Sequence, residues 1–162
     1  IVIIGYGFVG KAIDNALKKN VNVTKIDPKL DTNLEAILSK NHDFIFICLP
    51  TPMNENNKQD ISTILNTLKF LKQNNIDSQI IIKSTVLPSN MKLLQEECNS
   101  LVYNPEFLRE KFAKDDFINA PIILFGGNEE NCQKASEFYK NNTNCILKKH
   151  TITDIISASL IK

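Results

Sequence analysis

The sequence predicts an α/β fold: a doubly wound parallel sheet with helices on both faces, three layers deep. Three observations predict it. Six or seven short apolar runs alternate with helical stripes in regular βα order. The first run, Ile1 to Ile4, passes through Gly5-Tyr6-Gly7-Phe8-Val9-Gly10 into an amphipathic helix. The second run ends on an acid, Asp27.

Each element can be justified in turn. Ile1 to Ile4 is continuously apolar, as a strand buried on both faces must be. After the glycines, Val9, Ala12, Ile13, Ala16 and Leu17 fall on one helical stripe. In this strand–turn–helix context the glycines have distinct tasks. Gly5 allows the tight turn, Gly7 lets a pyrophosphate approach the backbone, and Gly10 lets the helix pack close to the strand. The free N–H groups of the helix start then face a negative charge favoured by the helix dipole. This is the Rossmann-type, αβα form of the fold. Val21 to Ile26 reads as the second strand and delivers Asp27 about 20 residues past the glycines, where a carboxylate holds an NAD ribose. NADP would call for a base instead. Lys29 stands nearby, and an ordinary Asp-Pro turn is the competing reading of Asp27-Pro28.

Asn33 to Lys40 reads as a short helix with Leu34, Ile37 and Leu38 inward. Phe44 to Leu49 is a fully apolar third strand, stopped by Pro50-Thr51-Pro52. Ligands of such sheets lie outside the carboxyl ends of the strands, so Thr51 is expected beside the cofactor. Asp60 or Ser62 caps the next helix, whose buried stripe is Ile61, Ile64, Leu65, Leu68 and Leu71. Gln79 to Lys83 is the fourth strand, and Ser84 and Thr85 offer two hydroxyls at its end. Ser89 or Asn90 caps a helix through Glu97, and Leu101 to Tyr103 is a short fifth strand. Then comes Asn104-Pro105-Glu106-Phe107-Leu108-Arg109-Glu110. Glu106 and Glu110, four apart, face one side of a helical turn and suit acid–base or water-activating work. The pattern alone favours a solvated turn in which Arg109 neutralises both acids. Pro121 to Phe125 is a sixth strand, followed by Gly126-Gly127 and a helix to about Tyr139 with Ala135 and Phe138 inward. Cys145-Ile146-Leu147 is the last strand.

Composition narrows the function classes. At 162 residues, 43% apolar and 23% charged, the chain is one ordinary soluble domain. A net charge of +1 argues against a nucleic-acid binder, and no apolar run is long enough to span a membrane. Cys48, Cys98, Cys132 and Cys145 are scattered and read as reduced thiols of a cytoplasmic protein. His42 and His150 are isolated, so no metal site is expected. The chain begins inside a strand and ends in Thr153 to Lys162, a helix without a stop signal. It therefore reads as the first domain of a longer protein.

Four stretches, in order and at about the family's spacing, make the sequence resemble the N-terminal NAD-binding domain of the UDP-glucose/GDP-mannose dehydrogenases. They are Gly5-Tyr6-Gly7-Phe8-Val9-Gly10, Leu49-Pro50-Thr51-Pro52, Lys83-Ser84-Thr85-Val86-Leu87-Pro88 and Asn104-Pro105-Glu106-Phe107-Leu108-Arg109-Glu110. The resemblance implies oxidation of a nucleotide-sugar C6 alcohol to a carboxylate with two NAD, through a thiohemiacetal and a thioester. It implies that Gly5, Gly7, Phe8, Val9 and Gly10 form the pyrophosphate turn and that Asp27 holds the ribose. Thr51 and Thr85 match hydroxyls beside the nicotinamide and the reacting centre. Glu106 matches an acid that hydrolyses the thioester, Phe107, Leu108 and Arg109 a segment that holds the UDP- or GDP-sugar, and Glu110 an acid near the cofactor. Residues 1–150 are then the NAD-binding domain and 151–162 the start of an inter-domain helix. The sugar-nucleotide domain, the nucleophilic Cys and the catalytic Lys would lie beyond residue 162, with Lys162 matching an earlier Lys of that helix. A homodimer or larger assembly is expected. Two departures stand out: Ile122 and its neighbours lack the family's frequent Arg, and Ser159 stands where the family usually has Glu. An NAD-sensing regulatory domain without catalysis and a β-hydroxyacid-type dehydrogenase are the alternatives. Neither accounts for Asn104 to Glu110.

Overall fold

A computed structural model describes residues 1–146 and 149–162. Among these, seven strands form one sheet: β1 (Val2–Ile4), β2 (Thr24–Ile26), β3 (Phe44–Ile47), β4 (Gln79–Ile82), β5 (Val102–Tyr103), β6 (Ile123–Gly126) and β7 (His150–Thr153). Their order is β2-β1-β3-β4-β5-β6-β7. The helices are α1 (Phe8–Ala16), α2 (Ser62–Gln73), α3 (Pro88–Glu97), α4 (Ala113–Ile118), α5 (Glu129–Asn142) and α6 (Ile155–Ile161).

The period-two alternation of strand side chains divides the core between the two faces. Ile3, Phe46, Ile81, Val102 and Phe125 pack with Ile13 of α1, Phe117 of α4 and Tyr139 of α5. Val2, Ile4, Ile45, Ile47, Ile80 and Ile82 pack with Leu68 of α2, Met91 of α3 and Ala158 of α6. This is the expected three-layer, Rossmann-type arrangement.

β2, β1, β3, β4 and β5 are parallel. β6 departs from the all-parallel expectation: it runs antiparallel to β5, with Tyr103 opposite Gly126, and β7 runs parallel to β6. A parallel return needs a crossover that carries the chain back along the sheet. α4 has six residues and is only about 9 Å long, so the chain re-enters at the edge where β5 stopped. The consequence matters for function. Because Tyr103 faces Gly126, the earlier residues of β6 lie beside the segment that follows β5, and the Asn104 amide donates to the Leu124 carbonyl at 2.7 Å.

Other local readings are corrected. The predicted helix at 33–40 is a single 3₁₀ turn, Leu34–Ile37, with Ile37 buried but Leu38 exposed. So short a segment forms too few hydrogen bonds to offset nucleation. α2 has Ile61 at its N-cap and no side-chain cap bond, so neither Asp60 nor Ser62 caps it; Asp60, one residue earlier, accepts from Ser62 N–H at 2.8 Å. α3 starts at Pro88 with no side-chain cap, so Ser89 and Asn90 lie inside it; the ring of Pro88 sets the first helical turn. The last strand is His150–Thr153. Cys145 and Ile146 join no strand, and Leu147 lies outside the described residues.

Candidate active site

The carboxyl ends of the parallel strands open onto a cleft of about 660 Å³ whose lining includes Gly5, Gly7, Phe8, Val9, Asp27, Thr51, Thr85 and Glu106. Four strand steps separate Asp27, after β2, from Glu106, after β5. At about 4.8 Å per step the cleft is roughly 19 Å long, enough for an extended dinucleotide.

The glycine turn is built for an anion. Gly5 sits at φ +90°, where a Cβ would lie 2.5 Å from the Cys48 carbonyl oxygen. Gly10 is buried beneath the turn; it packs α1 against the turn and does not line the cleft. A Cβ on Gly7 would meet no protein atom within 4 Å, so this face of the turn is open. α1 has no side-chain cap and no acid in its first turn, which leaves its first N–H groups for a ligand. The open face and the uncapped helix start fit a dinucleotide pyrophosphate.

Asp27 is fixed by two backbone donors, Tyr6 N–H at 2.7 Å and Lys29 N–H at 2.9 Å. These hold its carboxyl below the usual carboxylate range, the Lys29 N–H most strongly. Each oxygen keeps lone pairs for ribose hydroxyls. Asp27→Asn puts an amide group against one of those N–H donors. Affinity for NAD is expected to fall about tenfold in a calorimetric titration.

At the far end of the cleft, the Thr51 hydroxyl donates to the Thr85 carbonyl at 2.7 Å. Gln59 ties the two loops together. Its amide donates to the Thr85 carbonyl at 2.9 Å and the Thr51 hydroxyl at 3.3 Å, and its oxygen accepts from Leu87 N–H at 2.9 Å and the Asn90 amide at 3.1 Å. Sequence reading missed Gln59, because a Gln in a polar loop carries no spacing signal.

The segment after Asn104 is not the predicted helical turn. Pro105 has no N–H, Glu106 Oε2 accepts from Leu108 N–H at 2.6 Å, and Asp116 Oδ2 accepts from Arg109 N–H at 2.9 Å. Side chains have taken the donors that a helix would use. Glu106 therefore turns into the cleft, while Glu110 opens an exposed 3₁₀ turn and lines neither this cleft nor its neighbour. Arg109 neutralises neither glutamate. Its guanidinium pairs with Asp116 at 2.8 Å and 3.0 Å, which brings the Asp116 carboxyl down to about 2. Glu106, Phe107, Leu108, Arg109, Ile122 and Ile161 line a second, apolar cavity of about 510 Å³. Glu106 and Lys83 border both spaces.

The structure also brings a lysine to this acid. Lys162 Nζ lies 3.1 Å from Glu106 Oε1 and donates to the Glu106 carbonyl as well. The two side chains are only 17% and 10% exposed. The residues are 56 positions apart, and nothing in the sequence joins them. The thiols offer no nucleophile here. Burial pushes Cys48 up to about 12 and Cys132 to about 11, and it raises Cys145 too. The buried Lys83 went unread as a site residue. Its signal was parity: it ends an isoleucine run on the same face as buried Ile81.

Comparison with known proteins agrees with this geometry. The model of the "UDP-glucose/GDP-mannose dehydrogenase family, NAD binding domain" matches residues 11–143. A UDP-glucose 6-dehydrogenase of Rickettsia bellii is 34% identical over 131 residues, covering 76% of this chain and 30% of that protein. A GDP-mannose dehydrogenase of Pseudomonas aeruginosa, solved as a ternary complex, superposes with a TM-score of 0.79 at 20% identity over 99% of this chain and 48% of its own. A UDP-D-ManNAc dehydrogenase of Pyrococcus horikoshii gives 0.76 at 16% identity over 100% and 49%. The chain spans between 20% and 40% of the length of the curated relatives it matches. No described helix is long and apolar enough to cross a membrane. A match over most of the chain, a glycine turn open at Gly7 and a carboxylate fixed beside it at Asp27 lead to one assignment: the chain belongs to the UDP-glucose/GDP-mannose dehydrogenase family, as its NAD-binding domain.

Proposed function

We propose that this chain is the cofactor-binding part of a longer nucleotide-sugar 6-dehydrogenase, which oxidises the C6 alcohol of a UDP- or GDP-sugar to a carboxylate. The observation that carries the reading is the convergence of Thr51, Thr85 and Glu106 on the end of the NAD cleft away from Asp27. A protein that only senses NAD has no use for an acid–lysine pair at that end. The names of the curated relatives support the same reading.

In this reading Gly5, Gly7, Phe8 and Val9 hold the pyrophosphate and Asp27 the ribose, with Gly10 packing the turn from beneath. Bound NAD supplies the hydride acceptor, and two are used per sugar. Thr85 orients the reacting alcohol, and Thr51 and Gln59 fix Thr85. Glu106 takes a proton from the water that releases the acid product, and Lys162, 3.1 Å away, holds its carboxylate in place. Phe107, Leu108 and Arg109 border the sugar nucleotide through the second cavity. The geometry leaves Glu110 out of this set. Burial raises the thiols of Cys48, Cys132 and Cys145, and Cys98, after α3, does not line the cleft, so none of the four is assigned as the nucleophile. Thr151 to Thr153 belong to β7, so of the expected segment 151–162 it is α6 that would lead towards the sugar-nucleotide domain. A dimer or larger oligomer is part of the same reading. The test is NADH formation by the full-length protein with UDP-glucose, GDP-mannose and UDP-N-acetylmannosamine. Two NADH per sugar with one of them is the expected result. Binding of NAD with no turnover of any of the three would favour the regulatory reading.

A further inference from the structure

Lys83 is unusual in placement and in company. It is 3% exposed, on the loop side of β4. Its ammonium lies 5.4 Å above the Phe117 ring and donates to Asn104 Oδ1 at 2.9 Å. That oxygen is shared with the Tyr139 hydroxyl at 2.5 Å. A buried ammonium has three donors to satisfy, and here it meets one neutral oxygen that already serves a second donor. Burial lowers it to about 8, against the pull of Glu106. The chain pays for this with stability, and methionine would fill the same apolar slot without that cost.

Lys83 borders the NAD cleft at the end shared by Ser84, Thr85 and Glu106, three strand steps from Asp27. With the ribose carboxylate at the other end, this is the end left for the redox ring. That ring is a cation in NAD and neutral in NADH. Two cations in one water-poor region repel, whereas an ammonium beside a neutral ring does not.

We propose that Lys83 reads the oxidation state of the cofactor by charge: it gives up its proton when the cationic oxidised ring binds and keeps it when the neutral reduced ring binds. The proton passes to solvent through the cavities that Lys83 borders. No covalent step is involved, and Lys83 need not touch the ring. Three other titratable groups around it do not switch near the same pH. Cys48 beyond β3, Cys145 after α5 and Tyr139 of α5 are all raised by burial and stay neutral near pH 8. Glu106 after β5 and Lys162 at the end of α6 are paired with each other. The inference rests on the NAD-binding assignment and not on the sugar substrate.

The test is equilibrium binding of NAD and of NADH to the full-length protein across about pH 6.5 to 9.5, without sugar nucleotide. The ratio of the two dissociation constants, oxidised over reduced, is expected to fall about tenfold as pH rises through 8, because only NAD must displace the proton. Lys83→Met is expected to hold the ratio flat at its high-pH value. Lys83→Arg, which cannot deprotonate in this range, is expected to hold it flat at the low-pH value. Folding has its own readout. In the unfolded chain Lys83 keeps its proton to about 10.5, but in the folded chain only to about 8. Between those values the unfolded state binds the extra proton, so stability rises with pH. Lys83→Met is expected to lose that rise and to melt no lower than the parent at pH 7. A flat ratio in the parent protein, or a pH-dependent ratio that survives Lys83→Met, would overturn the inference. Failure to bind either cofactor form would instead count against the reading of the cleft.

Discussion

Gly10→Ala is expected to abolish useful cofactor binding and to destabilise the fold. The new Cβ would overlap the Gly5 carbonyl oxygen and press on Ile3 Cγ2 at 3.0 Å. The obstacle is backbone of the glycine turn itself, so no rotamer change relieves it. α1 must move off β1, and the free N–H groups at its start move with it. Overpacking of this kind costs about 1–3 kcal/mol of stability. Displacing the anion cradle is expected to weaken NAD binding about a hundredfold. Gly7→Ala separates the two effects. Its Cβ meets nothing in the protein, and its backbone, at φ −75°, suits any residue. That variant is expected to keep its denaturation midpoint and still lose most of its NAD affinity, since the methyl group stands where the pyrophosphate belongs. If Gly7→Ala binds NAD as well as the parent, the pyrophosphate does not lie over this turn. Urea melts and calorimetric titrations on the same samples decide both points.

The contrast between these glycines shows what was legible in the sequence and why. The first strand, the turn and α1 are specified locally: an apolar run, fixed glycine offsets and a helical stripe within 17 residues. Asp27 follows from its distance to that turn. Thr51 and Thr85 were readable because each ends a parallel strand, and such ends share one edge. Direction is another matter. The apolar run of β6 reads the same whether the strand runs up or down, and only the short α4 sends it antiparallel. β7, His150-Thr151-Ile152-Thr153, has one apolar residue in four, so the more apolar Cys145-Ile146-Leu147 was preferred. Helical spacing also misled at Glu106 and Glu110. Spacing assumes free backbone donors, and Pro105, Glu106 and Asp116 had removed or occupied them. The Glu106–Lys162 pair was out of reach because it depends on how α6 packs, 56 residues downstream.

Glu106→Gln in the full-length protein is expected to remove most turnover while leaving NAD affinity within about twofold. The substitution keeps size and shape. The amide oxygen can keep the bond from Leu108 N–H, and Lys162 keeps its bond to the residue's backbone carbonyl, so the loop is expected to hold. What it cannot do is take a proton from water, and general-base assistance is worth about 10² to 10⁴ in rate. The loss should fall on the step that uses water. In the proposed thioester route both oxidations precede the water step, so Glu106→Gln is expected to release about two NADH per site in a fast phase and then to stall. Lys162→Met removes the cation instead. It leaves the acid in the cleft without the donor that holds it at 3.1 Å. Its turnover is therefore expected to fall about tenfold, less than that of Glu106→Gln, because a loosely aimed base still takes the proton. Full steady-state turnover by Glu106→Gln would remove the acid from the mechanism. Parent-like turnover by Lys162→Met would show that the lysine does not position it.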